Sequence, residues 1–277
     1  MTLAGQTFVV LASANTSSIS VMRLSPNGEL VPTDHVIDTG GTRFEGVQAL
    51  AVTEVDGRVF IVAGGADSGI TLFTLLPDGS LLTLQTLADA GNTSMHSVSA
   101  IDIAVSDNTL YVFVGAQNEA GITTFTLDLS NLGRVIEGRP AAELLIGTGR
   151  DDILLASGAN DTLQGGAGDD LLVTGGPGTD MTGGAGADRF VIREGSGTTT
   201  IRDFRPGEDS LDLSDLPMLR DPSQLTFTTT ASGAVIEYRG IVVVLTSANG
   251  QPLRLSDIFP QGFDWADGFP YIPPEDE

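Results

Sequence analysis

The sequence predicts an all-β chain in which a partial β-propeller-like module of about three blades is followed by a parallel β-roll and a C-terminal β-sandwich-like region. Three observations carry this prediction. A nine-residue glycine–aspartate unit recurs between Gly147 and Val191, a unit of about 50 residues recurs through the N-terminal half, and alternating apolar runs follow residue 213. The expected boundary places the blade-like repeats in residues 1–140 and the roll with everything after it in 141–277.

In the first half, Phe8–Ala12, Val59–Ala63 and Tyr111–Gly115 align at offsets of 51 and 52 residues. Each is followed by a second apolar run (Ile19–Leu24, Ile70–Leu75, Ile122–Leu127) and then by turn residues such as Pro26-Asn27-Gly28 and Pro77-Asp78-Gly79. Two further elements occur twice: Val47–Val52 with Val98–Ala104, and the loops opened by Asp38 and Asp89. Short strands punctuated by turns at this period are the rhythm of four-stranded propeller blades. The strand count is three, four and four, fewer than three full blades, so the series must find another surface to cover its faces. Asp38 and Asp89, in equivalent loops, read either as ligand-binding residues at the blade rim or, the favoured reading, as turn aspartates that cap loop amides. The apolar run at Phe8–Ala14 has no basic residue ahead of it and has counterparts deeper in the chain, so it reads as a strand and not as an export signal.

The nine-residue unit is best formed in Gly165–Val173 and Gly183–Val191. Aligned on aspartate the series runs Asp152, Asp161, Asp170, Asp180, Asp188, with spacings of 9, 9, 10 and 8. Glycine permits the tight turn that aims carbonyls inward, and calcium takes 6–8 oxygens from carbonyls and carboxylates. The apolar residue two after each aspartate (Leu154, Leu163, Leu172, Phe190) is expected in a narrow core between two parallel sheets. Units alternating between sheets stack turns about eighteen residues apart, which pairs Asp152 with Asp170, Asp170 with Asp188, and Asp161 with Asp180. The Asp170/Asp188 site ranks first, because the row at 156–164 has lost glycines and the row at 175–182 carries Pro177 and puts Thr182 at the apolar position.

This pattern resembles the calcium-binding repeat of RTX (hemolysin-type) proteins. The segment Ile201–Ser214 is similar to the one that closes such rolls, and the strand-like runs 224–229, 234–238, 241–246 and 253–259 resemble the C-terminal secretion region of type I secretion substrates. The cofactor implied is Ca2+. The candidate ligands are Asp152, Asp161, Gly165, Ala167, Asp169, Asp170, Asp180, Gly184, Gly186 and Asp188, and the resemblance adds Asp203 and Asp209 in the closing segment. By blade rhythm alone, the first half resembles lactonase-type propellers.

Net charge is −23, from 13 basic and 36 acidic residues, which sets nucleic acid and anionic membranes aside as partners. There is no cysteine, hence no disulfide and no thiolate metal site. Neither a G-x-S-x-G elbow nor an H-E-x-x-H motif is present, and His35 and His96 fall at positions where the repeat asks for no imidazole. The tail carries Phe259, Phe263, Trp265, Phe269 and Tyr271 among prolines and acids; it reads either as a disordered export signal or as an aromatic latch. The expectation is a secreted bacterial protein, extracellular or associated with the cell surface, whose roll folds on calcium after export. It is expected to be non-catalytic, a binding or self-assembling protein. The alternative is an extracellular hydrolase of lactonase or esterase type with its site in the blade module. Expected partners are calcium ions and the ABC exporter of type I secretion, with a glycan, a cell surface or a second copy as further candidates.

Overall fold

The computed structural model describes residues 1–219 and 222–260. The chain divides into two compact units, Met1–Ser130 and Asn131–Glu277. The latch residues Phe263, Trp265, Phe269 and Tyr271 lie outside the described residues.

The first unit consists of three antiparallel meanders. Strands β1 (Thr2–Leu3), β2 (Gln6–Ser13), β3 (Ser18–Leu24) and β4 (Leu30–Ile37) make one sheet, and β5 (Ala49–Val55), β6 (Arg58–Gly64), β7 (Gly69–Leu75) and β8 (Leu81–Ala88) a second. The third contains β9 (Val98–Ser106), β10 (Thr109–Ala116) and β11 (Thr123–Asp128). Alternation decides the faces: Phe8, Ile19 and Val21 of the first sheet pack against Val59, Ile61, Phe73 and Leu75 of the second. The second sheet is buried at nearly every position of β6 and β7, as a sheet covered on both faces must be. Polar contacts tie the first two sheets together: the Thr33 hydroxyl donates to the Gly79 carbonyl at 2.9 Å and the Leu81 amide to Asp34 Oδ2 at 2.7 Å. The third sheet has three strands, not the four counted in the sequence, because the next run joins the second unit. A meander is the unit of a blade but does not by itself make a ring.

The second unit is a parallel β-solenoid. Its strands alternate between two sheets. One holds β12 (Leu132–Glu137), β14 (Asp151–Leu155), β16 (Leu171–Val173), β18 (Arg189–Val191) and β20 (Ser210–Asp212). The other begins with β13 (Leu144–Ile146), β15 (Thr162–Ala167), β17 (Asp180–Ala185) and β19 (Thr198–Phe204). Register stacks one apolar column of Leu154, Leu172, Phe190 and Leu211 against another of Leu145, Leu163, Met181 and Ile201. Both columns lie in one continuous core.

The C-terminal strands extend this unit. The antiparallel run β21 (Thr226–Thr230), β22 (Gly233–Tyr238) and β23 (Ile241–Ser247) attaches through β23, parallel to β19, and enlarges the second sheet to seven strands. The expected strand at 253–259 is instead a helical turn, α1 (Leu255–Ile258). Asp257 reaches back to accept the Arg254 amide at 2.7 Å, an N-terminal cap that favours the turn over extension. The apolar residues that suggested a strand, Leu253 and Ile258, do enter the core.

Candidate metal centre

The solenoid has two edges of stacked turns, and they differ. One edge is formed by the turns 147–151, 165–169, 183–187 and 205–208. There Asp152, Asp170, Asp188 and Asp209 stand one above the next with almost no exposure. Each gives Oδ1 to a backbone amide of the preceding turn: Asp152 accepts from the Arg134 amide, Asp170 from the Asp152 amide (2.8 Å), Asp188 from the Asp170 amide (3.0 Å), and Asp209 from the Asp188 amide (3.0 Å).

The second carboxylate oxygen separates these residues. Asp152 Oδ2 accepts from both the amide and the hydroxyl of Thr148, and Asp209 Oδ2 from the Arg205 amide at 2.8 Å. Asp170 Oδ2 and Asp188 Oδ2 are buried with no partner. A buried, unpaired carboxylate oxygen costs several kcal/mol unless a cation meets it. Burial, reinforced by neighbouring aspartates against the pull of the donated amide, pushes both residues up to about 7. Burial raises Asp209 as well.

Glycine makes the room. A Cβ on Gly165 would run into Asp170 Oδ2 and the Gly183 carbonyl, and one on Gly184, at φ +110°, into the Gly166 carbonyl. One on Gly186 would strike the Gly168 carbonyl. The space between turns 165–169 and 183–187 is therefore a cradle lined by Asp170 Oδ2 and the backbone oxygens of Gly166, Gly168 and Gly183. A hard cation fits this donor set, which is oxygen-only and mostly neutral. Among the described residues no three Asp, Glu or His side chains gather as a metal cluster; here carbonyls must complete the shell.

On the opposite edge both oxygens of Asp161 have hydrogen-bond partners. Asp161 Oδ1 accepts from the Glu143 amide (2.9 Å), and its Oδ2 from the amides of Ser157 (3.1 Å) and Gly158 (2.9 Å). The expected pairing of Asp161 with Asp180 does not form. Thr162 pairs with Asp180 and Leu163 with Met181, so the residue stacked on Asp161 is Thr179. Asp180 belongs to the strand face and binds the guanidinium of Arg202. Thr179 is buried and donates to the Gly176 carbonyl at 2.9 Å. Strict nine-residue counting (152, 161, 170, 179, 188) points to this threonine; matching on residue type instead chose the neighbouring aspartate. The same one-residue slip made Thr182 the apolar position that Met181 fills.

The remaining candidates are dispersed. Ala167 and Asp169 are exposed, with Ala167 paired to Ala185 on the sheet and Asp169 Oδ1 accepting the Ala187 amide at 2.8 Å. Asp203 lies beside the row, its two oxygens accepting the Gly183 and Gly184 amides, each at 2.9 Å. Sequence reasoning missed Thr148 and Arg205. The first falls where the best units carry glycine; the second is the arginine of the closing segment, whose guanidinium donates to the Gly184 carbonyl.

In the first unit, Asp38 Oδ1 accepts the Thr42 hydroxyl (2.7 Å) and the Phe44 amide (3.0 Å), and Asp89 Oδ1 the Thr93 hydroxyl (2.7 Å) and the Met95 amide (3.2 Å). Both loops are thus held by one aspartate used the same way. His35 and His96 hydrogen-bond Ser20 and Ser68 at exposed positions.

Residues 146–242, about a third of the chain, match the family model described as the C-terminal part of peptidase M10 serralysin. That match and the parallel solenoid together fit an RTX-type β-roll. No curated protein matches the chain. Among the described residues no helix is long and apolar enough to cross a membrane.

Proposed function

We propose that the second unit is a calcium-dependent folding module of a secreted protein, exported by a type I system and ordered when calcium enters the row of turns. The observation that carries this reading is the partnerless oxygen of buried Asp170, facing glycine carbonyls in a space that any side chain would fill. Twelve acidic residues lie between Asp151 and Asp212. Without an ion, their repulsion and the desolvation of Asp170 and Asp188 oppose closure; with one, binding free energy becomes folding free energy. Extracellular calcium modules bind at about 10⁻⁴–10⁻³ M, which suits a chain kept open in a low-calcium cytosol. Ca2+ is the cofactor, held by Asp170 Oδ2 and by backbone oxygens of the turns Gly165–Gly168 and Gly183–Gly186.

The first unit serves as a non-catalytic binding or surface-associated module built from propeller-like blades. Support comes from three consecutive meanders, repeated Asp38 and Asp89 loops, and a middle sheet covered on both faces.

Hydrogen exchange on the full chain, in chelator and at millimolar calcium, tests the calcium reading. Peptides from 147–212 are expected to gain strong protection with calcium. Equal protection in both conditions would overturn it.

A further inference from the structure

We propose that Arg205 takes the place of a calcium ion at the last turn of the row, so that the row ends on a cation belonging to the chain itself. This rests on the calcium reading above and concerns where the row stops.

The stacked turns leave three gaps, and each is treated differently. In the first, between 147–151 and 165–169, the amide and hydroxyl of Thr148 satisfy Asp152 Oδ2 with neutral donors. In the second, between 165–169 and 183–187, Asp170 Oδ2 has no partner, and a Cβ on Gly184 would strike the Gly166 carbonyl. The third, between 183–187 and 205–208, has Asp188, Asp203 and Asp209 on the turns that border it. Here the Arg205 guanidinium donates to the Gly184 carbonyl. Gly184 pairs with Gly166 in the sheet, eighteen residues apart. The carbonyl that lines the cradle in the second gap thus has its counterpart, in the third, held by an arginine.

A guanidinium stays charged at any accessible pH and presents several donors in a rigid fork. Seated on the Gly184 carbonyl it is a resident countercharge in this gap, and a divalent ion would have to displace it against direct repulsion. Asp203 and Asp209 fit this arrangement, since all four of their oxygens are used on backbone amides. Asp188 Oδ2 has no hydrogen bond. Removing Arg205 would leave that oxygen and the Gly184 carbonyl together, the same pair of donors that the second gap offers. The opposite end of the series shows a related substitution. Arg134, eighteen residues before Asp152, stands where the next aspartate would be, and its amide completes the ladder.

The test counts calcium bound per full-length chain, by native mass spectrometry and titration calorimetry at saturating calcium, with circular dichroism as a check on folding. Arg205→Ser is expected to bind one more calcium than the wild type, and Arg205→Lys the wild-type number. Equal counts for wild type and Arg205→Ser would overturn the proposal while leaving the calcium reading intact. So would an Arg205→Ser chain that stays unfolded at saturating calcium, because an ion could then not replace the guanidinium. A wild-type chain that binds no calcium would overturn the reading on which the proposal depends.

Discussion

Asp170 and Asp161 occupy equivalent places in successive nine-residue units, yet only Asp170 has an oxygen without a hydrogen-bond partner. Asp161 gives both oxygens to amides, whereas Asp170 keeps one bare. Asp170→Asn should therefore raise the calcium midpoint tenfold or more, since it removes an anionic ligand while keeping the Asp152 amide bond. Asp161→Ala should leave the calcium count unchanged but cost about 1–3 kcal/mol by stranding buried amides. Calorimetric counts and melting at saturating calcium separate the two; loss of a calcium in Asp161→Ala would show that the opposite edge also binds metal. The same comparison marks how far residues can be read from sequence. Aspartates on an eighteen-residue spacing were legible because stacking is set by chain length per coil. Thr179 was passed over although nine-residue counting points to it, because a hydroxyl that satisfies one carbonyl does not look like an aspartate and Asp180 stands next to it.

A second residue-scale prediction concerns Asp67 in the first unit. Burial, with the Asp38 charge next, pushes its carboxyl up to about 7. A carboxyl whose folded value exceeds its unfolded one holds its proton better in the folded state, so stability falls as pH rises from about 4 to about 7. Asp67→Asn keeps an acceptor for the Glu45 amide, which Asp67 Oδ1 binds at 3.2 Å. Because the group is partly exposed, the gain is about 1 kcal/mol, a few degrees of melting temperature at pH 8. The advantage should close as the pH approaches 4; a gap that widens instead would assign the wrong sign to this group.

At the scale of elements, sequence reading succeeded where alternation and turn chemistry agree. The strands around Phe8, Phe60 and Val112, and the rungs at Leu154, Leu163, Leu172 and Phe190, lie where their patterns place them. It failed where a strand's identity depends on its partner. The run Leu132–Glu137 has the composition of a fourth blade strand, but it pairs in parallel with Asp151–Leu155 and becomes the first rung of the solenoid. Nothing local distinguishes those outcomes, since β propensity reports only fit to a half-buried pleated surface. Glycines give the sharper element-level test. Gly207, at φ +83° with open space around it, should tolerate alanine at about 1 kcal/mol, the backbone penalty alone. Gly183→Ala forces a methyl against the Asp188 carboxyl and should cost more than 2 kcal/mol and weaken calcium binding together. Melting curves at saturating calcium that rank these two in the opposite order would mean that the cradle is not sterically tight.

The whole molecule joins two units with different reasons to be folded. The first has an apolar core of Phe8, Ile19, Phe44, Ile61, Phe73 and their neighbours, and its loop aspartates Asp38 and Asp89 are satisfied by hydroxyls and amides of their own loops. Nothing in that arrangement calls for an ion. The second also has a continuous core, but its edge keeps one oxygen each of Asp170 and Asp188 buried without a hydrogen bond, and on the calcium reading proposed above its closure needs an added countercharge. The two units should consequently respond differently to chelation. In excess chelator the full chain is expected to retain one cooperative thermal transition, with exchange protection in β2, β3, β6 and β7, while peptides from β14 to β20 exchange freely. Adding calcium to millimolar levels should restore protection to the second unit and raise its melting temperature with calcium concentration, as mass action requires for an ion bound only by the folded state. The transition of the first unit should stay where it was. If both units lose protection together in chelator, the first does not fold on its own strength, and calcium organises the entire chain.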